Sequence, residues 1–182
     1  MEKILYPRKE VKILNGISIS IERFTEGELT RSQQREIASE VLPLTGKGFL
    51  RKNFDDPLFV ADVNNHVVGA ERLVVVRKLV DNSPVSFIAA KKTRAIDLNF
   101  YELDGIIVDS TFQGSGLGRY LLLTDILESQ QEAISLCTQS KKMRGVLLHV
   151  TSIDRDLSAK MAEFKFSGSD HTIFEYMGKE LV

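Results

Sequence analysis

The stretch of this sequence best suited to chemistry is QGSGLG, at residues 113–118, where three glycines alternate with other residues. It follows the apolar run GIIVD and precedes RYLLLTDIL, which has the composition of a helix. A glycine-rich turn before a helix suits anions, because the first helical turn has unpaired N–H groups and glycine lets phosphate oxygens come close to the backbone. The stretch therefore predicts a phosphate-binding loop.

The spacing of these glycines separates several interpretations. Gly114, Gly116 and Gly118 do not match the G-x-G-x-x-G pattern of dinucleotide-binding folds, and they follow the fourth predicted strand rather than the first. No Lys-Ser/Thr pair comes after them, which excludes the phosphate loop of nucleoside triphosphatases. A flexible turn that merely begins a helix is disfavoured, since each glycine lowers helix stability by about 1 kcal/mol relative to Ala at a helical position.

The surrounding elements predict a single mixed α/β domain over residues 1–182. We expect strands at 16–24, 58–63, 67–80, 98–109, 144–152 and 171–181, and helices at 31–43, 115–134 and 155–166. The second and third strands are expected to form a hairpin across an Asn-rich turn. Segments 44–57 and 85–97 are interpreted as loops, the second with a short helix.

The amino-acid composition limits the classes of function that this protein could have. With 43% hydrophobic and 27% charged residues, the chain should be globular, and a net charge of −1 favours neither nucleic acid nor an anionic membrane as partner. Cys137 is the single cysteine and the three histidines are far apart, so no disulfide framework and no metal site are expected. There is no apolar leader at the N-terminus and no run of about 18 apolar residues, so we expect a cytoplasmic protein.

The pattern Gln113-x-x-Gly116-x-Gly118, between GIIVD and RYLL, resembles the acyl-CoA-binding motif of the GNAT superfamily, the Gcn5-related N-acetyltransferases. The order of elements is similar over most of the chain, and FEYMGKEL resembles the family's last strand. The resemblance implies an α/β (α+β) GNAT fold, with a mixed, mostly antiparallel central sheet, splayed middle strands and helices on both faces. It also implies acetyl-CoA as co-substrate, no metal, and a homodimer as one expectation.

The resemblance assigns the CoA molecule to particular residues. The loop that would hold the CoA pyrophosphate comprises Gln113, Gly114, Ser115, Gly116, Leu117, Gly118 and Arg119. The pantetheine arm would lie between the strand ending at Val108 and the strand at 146–151, with backbone hydrogen bonds from Ile107 and Val108. A backbone amide near Val108 would face the thioester carbonyl. Asp156 stands where an Asn often contacts the pantetheine.

The resemblance also implies direct attack of an amine on the thioester, which needs a base because an alkylamine has a pKa of about 10.4. Glu102 lies 11 positions before Gln113, a spacing similar to that of the general-base glutamate in the histone acetyltransferase branch. Strand alternation would put Glu102, Asp104, Ile106 and Val108 on one face unless a bulge intervenes. Asp104 is therefore the second candidate base.

These observations predict an N-acetyltransferase acting on an amine of a small molecule or peptide. The alternative is an acyl-CoA-binding or regulatory domain with impaired catalysis. It stays open because the last predicted helix, RDLSAKMAEFKF, lacks the tyrosine that in this family commonly protonates the leaving thiolate. A weaker hypothesis is transfer of a longer acyl chain, with the 81–97 segment widening the acyl pocket.

Overall fold

The computed structural model describes residues 8–51, 53–95, 98–129 and 133–136. The strands are β1 Lys9–Leu14, β2 Ile17–Thr25, β3 Arg72–Lys78, β4 Pro84–Ala95, β5 Leu98–Val108 and β6 Ala133–Leu136. The helices are α1 Arg31–Gly48, α2 Pro57–Val68 and α3 Leu117–Ser129, with a 3-10 turn at Ser110–Phe112. The described strands form one sheet in the order β1-β2-β3-β4-β5-β6. Neighbours from β1 to β5 are antiparallel, and β6 is parallel to β5.

Helices cover both faces of this sheet, as the sequence predicts. On one face, α3 contributes Leu117, Leu121, Leu122 and Ile126 to a buried cluster with the strands. On the other face, the buried residues of α1 and α2 pack against β3 and β4. None of the helices in the described ranges is long and apolar enough to cross a membrane. The mixed, mostly antiparallel sheet and the helical layers therefore confirm the expected fold class.

Helix α1 begins where the sequence predicts and ends later. Thr30 and Gln33 form a capping box, in which the Thr30 hydroxyl accepts a hydrogen bond from the Gln33 amide at 3.2 Å. The predicted end near Pro43 was wrong, because the helix continues to Gly48. Val41 and Leu44 are buried on either side of the proline. Their packing offsets the hydrogen bond that a proline removes from a helix.

The hairpin predicted over 58–80 was wrong in its first half, which forms helix α2. Asp56 caps this helix by accepting a hydrogen bond from the Leu58 amide at 2.9 Å, and Pro57 occupies the first helical turn. Its buried residues are Phe59, Val63 and Val67, at the four-residue spacing of a helix face. The strand that follows is β3, which begins only at Arg72.

The other large differences from the predicted elements concern strands. Segment 85–97 was interpreted as a loop, but most of it belongs to β4, which pairs with β3 and β5 on its two edges. Strand β1 was not predicted; a turn through Asn15 and Gly16, both with positive φ, joins it to β2. Helix α3 ends at Ser129 rather than 134, and β6 follows it. The elements predicted at 144–152, 155–166 and 171–181, with Asp156, lie outside the described residues.

Candidate active site

The glycine-rich loop begins at a capped turn directly after β5. The Asp109 carboxylate accepts hydrogen bonds from the Thr111 amide at 2.9 Å and the Thr111 hydroxyl at 2.7 Å, and Phe112 is buried beneath the turn. Burial alone would raise the pKa of Asp109, but the bonds from Thr111 and the charges of Lys47 and Lys78 outweigh it. The pKa of Asp109 is therefore lowered, and the ionised carboxylate holds the turn.

Two glycines in the loop adopt backbone conformations that other residues avoid. Gly114 and Gly116 both have φ of +83°, in the left-handed region. A Cβ built on either would meet no heavy atom of a described residue within 4 Å, so these residues leave open space beside the loop. Ser115, which lies between them, stays close to the turn because its hydroxyl donates to the Phe112 carbonyl at 2.6 Å. The glycines thus provide both the turn and an open backbone surface.

Half of the backbone amides from Gln113 to Tyr120 donate to acceptors in the described part of the chain, and half do not. The amides of Gln113, Ser115, Leu117 and Tyr120 donate to neighbouring oxygens of the loop. Those of Gly114, Gly116, Gly118 and Arg119 have no acceptor among the described residues. Such N–H groups at a helix start carry partial positive charge and bind anions. The predicted phosphate loop therefore has the donors that its interpretation requires.

Two further contacts explain why the motif has a glutamine at 113 and a glycine at 118. The Gln113 side-chain amide donates to the Val108 carbonyl at 3.1 Å, which ties the loop back to the end of β5. A Cβ on Gly118 would lie 3.2 Å from Val108 Cγ2, closer than ordinary packing allows. Glycine at 118 thus lets the first turn of α3 sit directly against β5.

Among the described strands, β6 covers only part of the edge of β5 that runs towards this loop. Strand β4 pairs with β5 as far as Val108, whereas β6 pairs with Phe100–Leu103. The Asp109 amide donates to the Val85 carbonyl at 2.8 Å, so antiparallel alternation directs the backbone of Ile107 towards β4 and that of Ile106 and Val108 to the opposite edge. This edge faces the position where a pantetheine arm could add hydrogen bonds along the strand.

The backbone of Ile107 differs from its predicted role. Its carbonyl accepts a hydrogen bond from the Ser86 hydroxyl at 2.7 Å on the β4 side. Ile106 instead has the orientation that was expected of Ile107. The sequence missed this because the side of a strand to which a backbone group points depends on the register, which only the pairing reveals.

A bulge in β5 separates the candidate acids from the apolar residues nearer the loop. Asp104 and Gly105 together stand opposite Ala89, since the register shifts between Ala89 and Ala90. Beyond the bulge, Ile106 and Val108 pack against the α3-side cluster, whereas Ile107 packs on the α1–α2 side. The shared face of Glu102, Asp104, Ile106 and Val108 was predicted for a strand without a bulge, and this bulge separates the two acids from Ile106 and Val108.

The two acids lie on the α1–α2 side, with a lysine between them. Lys91 of β4 stands opposite Glu102, and residues directly opposite on paired strands share a face. Lys91 Nζ lies 2.5 Å from Asp104 Oδ2, and both acids are partly buried. The charge of Asp104 is therefore balanced within the protein, and both acids stay candidates for the base.

Sequence reasoning missed a buried charge cluster that fixes α3 on the sheet. Arg72 of β3 donates to Asp125 Oδ1 from Nε at 3.0 Å and from Nη2 at 2.6 Å, and to Glu128 Oε2 at 2.9 Å. The Tyr101 hydroxyl of β5 also donates to Asp125. The signal in the sequence was the pair of acids three positions apart on an apolar helix.

Burial has different effects on two members of this cluster. For Arg72, burial disfavours the charge, but Asp125 and Glu128 outweigh it and the pKa is raised. For Tyr101, burial and then the negative charge of Asp125 raise the pKa well above its usual value. Tyr101 therefore stays a neutral hydrogen-bond donor, and the cluster holds α3, with the loop at its start, against β3 and β5.

Comparison with known proteins agrees with this geometry. A family model for the acetyltransferase (GNAT) family matches residues 22–146, from within β2 to beyond β6. A search of curated proteins returns no match. One similar solved structure is an aminoglycoside acetyltransferase from an uncultured soil metagenomic sample in complex with sisomicin, at 18% identity, 85% coverage of this chain, 95% of that chain and a TM-score of 0.51.

A second similar structure is the NatB acetyltransferase complex bound to CoA and MES. The identity is 14%, the match covers 72% of this chain and 81% of that chain, and the TM-score is 0.50. Likeness at such identities shows the fold alone. The family model covers more than half of the sequence and includes the loop and β5, and on that basis the chain belongs to the GNAT acetyltransferase family.

Proposed function

We propose that this protein transfers an acetyl group from acetyl-CoA to an amine of a small molecule or peptide. The observation that carries the proposal is the set of four loop amides that have no acceptor within the described ranges, at the start of a helix that family membership associates with acyl-CoA. An extended diphosphate can accept from several such amides at once. The open space beside Gly114 and Gly116 leaves room for its oxygens.

The remaining parts of CoA fit neighbouring features. Arg119, in the first turn of α3, makes no ion pair with any described residue and adds a positive charge beside the diphosphate. The pantetheine amides would pair with Ile106 and Val108 on the edge of β5 that no described strand covers, in the manner of an added strand. An amide on this edge would then donate to the thioester oxygen, where negative charge develops during attack.

The reaction is an aminolysis in which one bond forms and one breaks. Glu102 accepts a proton from the ammonium, and the neutral nitrogen attacks the thioester carbon. The new C–N bond forms as the C–S bond breaks, the electron pair leaves on sulfur, and the nitrogen, which is cationic after the attack, loses its second proton to solvent. A CoA-like thiol has a pKa of about 8.5, so its thiolate leaves near neutral pH and takes a proton from solvent. No tyrosine is needed for this step.

A thiol-release assay tests the proposal. Acetyl-CoA would be offered with benzylamine, 1,4-diaminobutane, an aminoglycoside and a short peptide with a free N-terminus, and acetylated product would be identified by mass. We expect amine-dependent release with one product per thiol. Glu102→Gln should lower kcat by about 10²–10⁴, the usual contribution of a general base, with acetyl-CoA binding intact.

The same assay separates the proposal from its alternative. Binding of acetyl-CoA without thiol release for any amine would favour an acyl-CoA-binding domain without catalysis. Unchanged turnover of Glu102→Gln would remove Glu102 from the base role while leaving the transfer itself in place.

A further inference from the structure

We propose that Asn15 and Tyr120 are positioning residues that fix the two ends of the phosphate loop, residues 113–119, to the β1–β2 hairpin and so preorganise this loop for acyl-CoA. The inference rests on the proposed function and deepens it, because it names what holds the loop in shape before the ligand binds. Thr111 precedes the loop and Tyr120 follows it, and side chains of the hairpin contact both.

The turn of the hairpin holds the residues that lead into the loop. The Asn15 side-chain amide donates a hydrogen bond to the Thr111 carbonyl at 3.1 Å, across 96 positions of the sequence. Thr111 belongs to the 3-10 turn that the Asp109 carboxylate caps, and the Gln113 amide donates to the Ser110 carbonyl of the same turn. Asn15 therefore joins the hairpin to the turn from which the loop begins.

The hairpin turn itself does not need the Asn15 side chain. Leu14 pairs with Ile17, which leaves a two-residue turn between the strands. Asn15 and Gly16 in this turn both have positive φ, of +52° and +76°. Glycine suits the first position of such a turn as well as asparagine does. What asparagine adds over glycine at position 15 is the amide that reaches Thr111.

Strand β1 holds the residue that follows the loop. The Tyr120 hydroxyl donates to Glu10 Oε1 at 2.8 Å, and Lys12 Nζ lies 4.0 Å from the centre of the Tyr120 ring in a cation–π contact. Glu10 Oε1 also lies 3.3 Å from Nη2 of Arg23, a buried side chain that helps to fix the carboxylate. The Tyr120 amide donates to the Gly116 carbonyl at 2.9 Å, so the anchor at Tyr120 connects directly to the loop.

Anchors at both ends restrict the loop in the absence of a ligand. A loop that already has its bound conformation loses less conformational entropy when acyl-CoA binds, so its affinity for acyl-CoA is higher. The hairpin residues that make these contacts, Glu10, Lys12 and Asn15, lie before residue 22, where the match to the family begins. Their role is therefore inferred from their contacts and does not follow from family membership.

Isothermal titration with acetyl-CoA tests the inference on two variants. Asn15→Gly keeps the backbone of the hairpin turn and removes the side-chain amide, and Tyr120→Phe keeps the ring under Lys12 and removes the hydroxyl. Each variant should raise Kd for acetyl-CoA by about 2- to 10-fold, the effect of one hydrogen bond. KM for acetyl-CoA should rise as well while kcat stays unchanged, because the anchors act on binding alone.

Asn82→Gly is the matched control. Asn82 also has a positive φ, of +57°, in the turn between β3 and β4, and its side chain makes no hydrogen bond with any described residue. This variant should leave Kd for acetyl-CoA unchanged.

Hydrogen exchange in the free protein gives a second readout that needs no ligand. The amides of Gln113, Ser115 and Leu117 donate to oxygens of the loop and its preceding turn, so they should exchange faster in Asn15→Gly and Tyr120→Phe than in the wild type. Amides in the middle of β3 should exchange at the wild-type rate. Faster exchange throughout the sheet would instead indicate a general loss of stability and would overturn the inference.

The titrations separate this inference from the proposed function. If the wild type binds acetyl-CoA and both variants bind it with the same Kd, the anchors do not position the loop, and the proposed function stands without them. A lower free energy of unfolding with an unchanged Kd would have the same consequence, because the anchors would then stabilise only the fold. If the wild type does not bind acetyl-CoA, the proposed function fails and this inference falls with it.

Discussion

Substitution of Arg72 by methionine tests how the buried charge cluster holds α3. Methionine keeps much of the side-chain volume but removes three hydrogen bonds, two to Asp125 and one to Glu128. The side chains of these acids are 2% and 3% exposed, so water cannot replace the guanidinium. Removing one partner of such a buried pair costs about 3–5 kcal/mol. For a chain of this size, that corresponds to a fall in Tm of roughly 6–20 °C.

Arg77→Met is a matched control on the neighbouring part of β3. Arg77 is as buried as Arg72 and also pairs with two acids, Glu22 and Glu40, but their side chains are 24% and 44% exposed. Water can reach these carboxylates when the arginine is removed, so the expected loss is about 1–2 kcal/mol.

Urea unfolding followed by circular dichroism at neutral pH gives both free energies of unfolding. A loss below about 1 kcal/mol for Arg72→Met, or one no larger than for Arg77→Met, would refute the reasoning. Such a result would mean that apolar packing alone holds α3 on the sheet.

Two more predictions follow from the loop and from Tyr101. Gly116→Ala should lower the free energy of unfolding by about 1–2 kcal/mol, because a φ of +83° strains any residue with a side chain, and it should abolish the rise in Tm caused by acetyl-CoA. Gly27 has the same φ and equally open surroundings but lies far from the loop. Gly27→Ala should therefore lower the free energy of unfolding by as much and leave the effect of acetyl-CoA on Tm unchanged. Because burial and Asp125 raise the pKa of Tyr101, the folded state keeps this proton above about pH 10 while the unfolded state releases it, so the free energy of unfolding should fall with rising pH there, and less so in Tyr101→Phe. A wild-type free energy that is flat between about pH 9.5 and 11 would contradict the second prediction.

The parts of the fold that the sequence predicted are those coded by local chemistry. The Thr30–Gln33 capping box is a short-range signal with its own hydrogen bonds, and it placed the start of α1 correctly. The loop was recognised because Gln113, Gly116 and Gly118 each have a separate local task, in tying back, turning and close packing. Such signals need no knowledge of distant residues.

The predicted elements were wrong where tertiary contacts determine the secondary structure of a segment. In β4 both faces are buried, so Phe87, Ile88 and Ala89 form a continuous apolar run without the alternation that marks a strand. In α2, the β-branched residues led to the prediction of a strand, although an Asp followed by a Pro, as at Asp56 and Pro57, is typical of the start of a helix. The bulge at Asp104 and the cluster around Arg72 depend on strand register and helix docking, which no short segment contains.

The central claim, that the loop binds the diphosphate of acetyl-CoA, is tested most directly by thermal unfolding of the wild-type protein with and without acetyl-CoA. At a ligand concentration of about 100 times Kd, binding should add roughly 2.7 kcal/mol to the free energy of unfolding. For a chain of this length, that is a rise in Tm of roughly 5–11 °C. An unchanged Tm at millimolar acetyl-CoA would contradict the account, because the loop would then not bind acyl-CoA.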